Sequence, residues 1–510
     1  MWNHTEWTKI PPLNRASRVS MTSGYEIPAR SRDSALQPNA GTNEGSVRRV
    51  YELAVSCLVF TVLSPVILLK TRHMRRLLLA IIVLDIPLQV DTHLNYRSDA
   101  AAMGALGGLN ISLTTISLAG LYLLWLSDSL TSAGPRLRPL FRLNLPLTLY
   151  LVFVALSILV ARDATLSLFE LFLFSQMFLL YIYIANSVRT REEVLFIVKL
   201  LLIGLILESV LMIGLANTGQ SFGLEGISTR IDAGKTSTES SRVAGTIGSP
   251  NSAAAYLCVL LTVAMGVMLT RLRAYYKWLA VAAFGLGAGA LILTSSRGGW
   301  ITFALSTTVL CCLAWRRGRL SLKSMLIVLG IVVLVFLFFE GAILTRISAD
   351  DRGSAYSRIP LMKLALRIIE DNPVLGVGAN NFSSIVDQYI TLEFSHEFLY
   401  AVHNQYLLVW VETGIGGLIA FVWFLVATVR RGLLGSRSSD PFLSSLALGL
   451  TVGVVGFMAH MSVDLFRGRP LTQLVWFLAG LITAIHGLAG EDRGEKRKAQ
   501  LRAISSTACG

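Results

Sequence analysis

A chain of 510 residues that is 53% hydrophobic and only 15% charged, with a mean hydropathy of +0.61, is too apolar for a soluble multidomain protein. Its repeated runs of roughly 17 to 25 apolar residues have the length a helix needs to cross a bilayer, where every backbone group must be satisfied within the segment. The formal charge of +14 would suit nucleic acid, but it is concentrated in short clusters between apolar runs, with no aromatic-interleaved basic patch, so it reads as an orientation signal and argues against a nucleic-acid partner.

Residues 1–49 are polar, rich in Ser, Pro, Asn and Arg, and lack the apolar core of a signal peptide, so a disordered tail is expected. Thirteen apolar runs follow, at about 50–69, 77–90, 103–126, 143–161, 166–186, 194–216, 251–270, 277–294, 300–315, 324–342, 404–429, 441–465 and 471–489. The second is short and interrupted by Asp85 and Pro87, and one of the first two could be re-entrant or interfacial. The expected fold is therefore an all-α polytopic integral membrane protein of twelve or thirteen transmembrane helices. Its parts are N-terminal helices over 50–216, an external loop at 217–250, core helices over 251–342, a large loop at 343–403, C-terminal helices over 404–489 and a basic tail at 490–510. Placing KTRHMRR, SVRTREE, RLRAYYK, RRGRLSLK, RRGLLGSR and RGEKRK in the cytoplasm puts both loops outside. Five cysteines show no disulfide or metal spacing.

Intramembrane polar residues include Glu52, Asp85, Asn110, Glu170, Gln176, Glu208, Glu412 and His460. Such groups usually face the bundle interior and often make structural interhelical hydrogen bonds. In the first external loop, Arg242 and Asn251 flank an SPN turn, and Ser249 or Asn251 could cap the next helix. Arg297, in LTSSRGGW, faces outside against the positive-inside preference. Its planar fork suits phosphate oxygens, and Gly298 and Gly299 allow backbone to come close; the plainer alternative is snorkelling to headgroups.

The loop at 343–403 carries Arg346, Arg352, Arg358, Lys363 and Arg367. Around Arg358, AYSRIPLMKLALRII reads as a short amphipathic helix with Ile359, Met362, Leu366 and Ile369 on its apolar stripe. The turn-rich DNPVLGVGANNF could present backbone amides to an anion, although it lacks the ending of a P-loop. His396 and Glu397 do not form HExxH, so no metal site is expected there. His403, in VHNQYLL, is expected in the first turn of the next helix, where a neutral imidazole can accept a hydroxyl proton. Glu412, nine residues on, points away from it and is expected to contact another part of the bundle.

The order TSSRGG, a long loop with an arginine before NPVLGVG, then HNQYLLVWVETGIGG, together with GTIGSPNSAAAYL upstream, resembles the O-antigen ligase and polymerase superfamily, membrane glycosyltransferases of GT-C type. The resemblance covers about residues 245–424; the first two hundred residues match only as a string of helices. It implies transfer of a glycan from undecaprenyl diphosphate to an acceptor hydroxyl, on lipid A core or on another lipid-linked glycan, at the periplasmic face of a bacterial inner membrane. It implies no cofactor, metal or nucleotide sugar, and polysaccharide-assembly proteins as possible partners. Carried onto this sequence, it makes His403 catalytic and Arg297 and Arg358 diphosphate-binding, with Arg242, Asn251, Asn404 and Glu412 in weaker supporting roles. Protein O-glycosylation is a further possibility, and a transporter of lipid-linked glycans is the reading from a different class.

Overall fold

The computed structural model describes residues 71–131, 144–221, 241–323, 358–389 and 401–507, with shorter stretches between 223 and 232 and between 325 and 333. The expected tail at 1–49, the run at 50–69 with Glu52, Arg346, Arg352, His396 and Glu397, and most of the run at 324–342 lie outside these residues. The described chain is an α-helical bundle with three two-stranded antiparallel hairpins. Its helices are α1 (Thr71–Leu88), α2 (Ser98–Ala102), α3 (Leu113–Thr131), α4 (Leu145–Ser157), α5 (Ala164–Ser187), α6 (Arg191–Thr218), α7 (Pro250–Met268), α8 (Ala274–Leu293), α9 (Arg297–Arg316), α10 (Arg358–Asp371), α11 (Phe382–Ile385), α12 (Gln405–Gly435), α13 (Pro441–His460) and α14 (Arg469–Thr507). Among the described residues nine helices are long and apolar enough to cross a membrane, and the apolar stretch Leu145–Val160 is shorter. The protein is an all-α polytopic membrane protein.

Polar residues set where the helices start and stop. Thr190 and Glu193 close a capping box at the start of α6, and Gly219 ends that helix in the left-handed region with φ of 66°. Asp163, Ser296 and Asp440 accept backbone N–H groups at the starts of α5, α9 and α13. Between these caps the apolar surfaces interlock: α7 packs on α8 and α13, α5 on α14, and α4 on α12.

Charge sorts to the two ends of the bundle. At one end Arg75 pairs with Asp128, Arg191 with Asp440 at 3.0 Å, and Arg319 donates to Ser445 Oγ at 3.0 Å. These are the basic clusters expected in the cytoplasm, and they share one end as the alternation requires. The other end holds the turns at 89–112, 241–249, 294–296, 372–381 and 461–468.

Two expectations change at that second end. The run at 103–126 is not one helix. Residues 109–112 form a strand paired with 91–94, and α3 begins only at Leu113. Glycine breaks the run: Gly104 has φ of 85°, and a Cβ at Gly108 would stand 2.8 Å from the Leu94 carbonyl. Asn110, expected within the membrane, therefore sits on a strand. The run at 77–90, in contrast, is a regular bundle helix through Pro87, and its Asp85 is bonded by Arg469 rather than breaking the span.

Helix α10 forms as expected but turns a different face inward. Leu361, Leu364, Ala365, Ile368 and Ile369 are buried, whereas Ile359 is 54% and Leu366 44% exposed. Two apolar stripes share the same spacing in this segment, and packing on α12 chooses the one that includes Leu361 and Ile368.

Candidate active site

The site is assembled from the ends of α7, α9, α10, α12 and α13. Ser296 Oγ accepts the N–H of Gly299 at 3.2 Å, which starts α9 and makes Arg297 its first residue. The paired glycines beside Arg297 permit close contact: a Cβ at Gly299 would lie 2.6 Å from that of Ala254, and one at Gly298 2.9 Å from His460 Nε2. Arg297 thus stands at the mouth of the bundle, on a turn held tight by its neighbours.

A chain of polar contacts links Arg242, on the strand before α7, to the α13–α14 connection. Arg242 donates from Nε to the Thr294 carbonyl at 3.1 Å and from its terminal nitrogen to Asn251 Oδ1 at 2.8 Å. Asn251 Nδ2 in turn donates to Asp464 Oδ2 at 2.5 Å. Ser249, not Asn251, caps α7, which leaves the asparagine amide to bridge. Arg358, the first residue of α10, donates to the Val463 carbonyl at 3.0 Å and lies 4.0 Å from Asp464 Oδ2. Asp464 is buried, and it gathers Asn251 and Arg358 around one carboxylate.

His403 faces the same pair of charges. It precedes α12 rather than occupying its first turn, because Asn404 is the cap, accepting the N–H groups of Tyr406 at 3.0 Å and Leu407 at 3.1 Å. Asn404 Nδ2 also donates to the Ser462 carbonyl at 3.0 Å, and Gln405 N donates to that of Met461 at 2.9 Å. Asn404 is therefore a structural clamp that sets His403 against Asp464. Burial holds the His403 imidazole below the usual histidine range, with Asp464 pulling upward and Arg358 pushing further down.

The glycine-rich turn has a different task from the one its composition suggested. Val377 N donates to the Val411 carbonyl at 2.9 Å, Gly378 N to the Glu412 carbonyl at 3.1 Å, and Phe382 N to Glu412 Oε1 at 3.1 Å. These amides dock on α12 instead of forming an anion nest. Docking is possible because Gly414 leaves the helical conformation at φ 69°, ψ −176°, freeing carbonyls in the preceding turn. A Cβ at Gly414 would collide with the Val374 carbonyl, and one at Gly376 with that of Val411. Gly414→Ala is expected to cost roughly 2–4 kcal/mol, from left-handed strain and this clash, read as a lower unfolding temperature in detergent.

The other Glu412 oxygen pairs with Arg467. Below this, Arg469 bonds Asp85 at 2.8 Å and Asp91 at 3.1 Å, and Gln473 Nε2 donates to Thr114 Oγ1 at 2.8 Å. Asp464, Arg467 and Arg469 were not anticipated. The signal was present in VDLFRGRP, which places three charges in a short turn between two apolar runs, with both arginines on the side expected to be outside, against the positive-inside preference. That is the same argument that singled out Arg297. Among the described residues no group of three or more His, Cys, Asp or Glu is arranged to hold a metal ion.

Residues 282–422, from within α8 through Arg297, Arg358 and His403 to α12, match the family model described as O-antigen ligase. A chain in a solved structure described as "Structural coordination of polymerization and crosslinking by a peptidoglycan synthase complex" is also similar, at 14% identity and a TM-score of 0.37, over 68% of this chain and 97% of that one. None of the curated proteins matches. The match over residues 282–422 supports the O-antigen ligase and polymerase superfamily for this multi-pass membrane protein, and with it an activity of the ligase or polymerase type.

Proposed function

We propose that the protein transfers a glycan from undecaprenyl diphosphate to an acceptor hydroxyl at the periplasmic face of the inner membrane, with inversion and without a metal or nucleotide sugar. The observation that carries this reading is the convergence of His403, Arg358 and Asp464, on a connection that packs against Gly298, the residue after Arg297, at the end of the bundle opposite the basic clusters. A base, two cations and an orienting carboxylate are what displacement of a diphosphate requires.

The acceptor oxygen attacks the anomeric carbon while its proton passes to His403, and the bond from that carbon to the diphosphate oxygen breaks. The products are the new glycoside and undecaprenyl diphosphate. Arg297 and Arg358 stabilise negative charge as it gathers on the leaving group, and Asp464 stabilises the imidazolium that forms. Arg242 and Asn251 hold the carboxylate in place, so they are positioning residues. Lipid A core as acceptor makes the protein a ligase; the end of another lipid-linked glycan makes it a polymerase. Concentration of the polar groups at one end favours transfer over transport, which would spread them along a pathway.

The test is transfer by purified protein from a lipid-diphosphate-linked glycan to each acceptor, in EDTA. Wild type is expected to glycosylate one of them, and Arg358→Ala to lose about a hundredfold or more of the rate. Transport of the lipid-linked glycan across vesicles with no acceptor modified would replace this reading with the transporter.

A further inference from the structure

His460 is the last residue of α13 and only 1% exposed, yet neither of its ring nitrogens has a hydrogen-bond partner. Its backbone is conventional, the carbonyl accepting N–H groups from Val463 and Asp464 at 3.1 Å each. Buried polar side chains in native folds are nearly always paired, and an unpaired one carries a free-energy penalty that usually marks a functional demand.

Packing determines where this imidazole points. Phe466 meets it edge-on, with ring centroids 4.9 Å apart. Nε2 is set against Gly298, the second residue of α9, and the missing Cβ there is what makes room for it. The first N–H groups of a 20-residue helix such as α9 have no acceptor within the helix and carry the positive end of its dipole. Ser296 satisfies the N–H of Gly299. The charged groups facing His460 are Asp464 and Arg358, the same two that face His403. Asp464 is already engaged by Asn251 and Arg358, which offsets its repulsion of an arriving anion.

The geometry points to a phosphate niche at the start of α9, where His460, the Gly298 N–H and the Arg297 guanidinium together hold one phosphate group of the donor diphosphate. The niche rests on the diphosphate-dependent reading of the site and adds a second imidazole to it. His403 handles the acceptor proton, whereas His460 donates a hydrogen bond to a phosphate oxygen. Seating the ligand moves the His460 ring off Gly298, and it gives that ring the partner it otherwise lacks.

Binding of farnesyl diphosphate to the full-length protein in nanodiscs tests the niche, with phosphatidylglycerol as competitor. His460→Phe keeps the contact with Phe466 but removes the donor, and is expected to weaken binding about tenfold or more. Gly298→Ala, whose methyl enters the space of the ring, should weaken it comparably, and it decides the matter if His460→Phe does not fold. His460→Gln, which restores an N–H donor, should recover part of the loss; a packing role alone would give no such rescue. Wild-type binding by both His460→Phe and Gly298→Ala overturns the niche and leaves the roles of Arg297 and Arg358 standing. Displacement by phosphatidylglycerol as effective as by unlabelled farnesyl diphosphate also overturns it, because the anion is then a lipid headgroup. If wild type fails to bind farnesyl diphosphate and transfers no glycan, the diphosphate-dependent reading itself falls.

Discussion

Arg467→Ala is expected to destabilise the protein by about 3–5 kcal/mol, the cost of leaving a buried charge without its partner. The guanidinium and Glu412 pair with side chains only 6% and 4% exposed. Glu170 on α5 lies within electrostatic reach of both, and its Oε2 has no hydrogen-bond partner. Removal of the cation therefore leaves the Glu412 carboxylate buried beside Glu170. The pair also ties the α13–α14 connection to the glycine turn, since the other Glu412 oxygen holds Phe382 N. Thermal unfolding in detergent is the measurement, with Glu412→Gln in the same background. The double variant should be more stable than Arg467→Ala alone, because neutralising the glutamate removes part of the uncompensated charge. A loss below about 1 kcal/mol for Arg467→Ala would mean that water or lipid headgroups reach the pair.

His403→Ala is expected to reduce glycan transfer by about 10²–10⁴-fold while leaving donor binding near the wild-type value, as loss of a general base does. The pH profile separates this role from a structural one. Burial and Arg358 hold the His403 pKa below its ordinary value, so the neutral, proton-accepting form persists to lower pH. The acid limb of the rate should therefore fall below about pH 6.5. Activity is retained above the lowered pKa and lost as pH falls through it. Asp464→Asn removes the charge that favours the imidazolium and should move the limb further down, whereas Arg358→Ala should move it up. An acid limb that stays unchanged in both variants would show that another group takes the proton.

Much of the molecule was legible because its solvent is so restrictive. A bilayer admits only long apolar helices, so α5 to α9 and α12 to α14 announce themselves by length and composition, and basic clusters sort them into two ends. Arg297 was legible for the same reason: an arginine outside, in a tight turn beside two glycines, breaks a strong preference. His403 and Arg358 gained their roles from the order of motifs, which a linear chain displays directly.

What the chain could not display was which distant groups meet. Arg469 and Asp85 are 384 positions apart, and Asn251 and Asp464 are 213 apart; no local periodicity encodes either contact. Two equally spaced stripes competed in α10, and only the facing surface of α12 selected one. The amides of DNPVLGVGANNF looked available for an anion until Gly414 was seen to break α12 and offer them carbonyls. Thus the sequence by itself determined the membrane class, the two-ended topology and the residue types of the site. Tertiary structure alone decided that Asp464 stands between His403 and Arg358, because buried charges are stable only where packing supplies a partner.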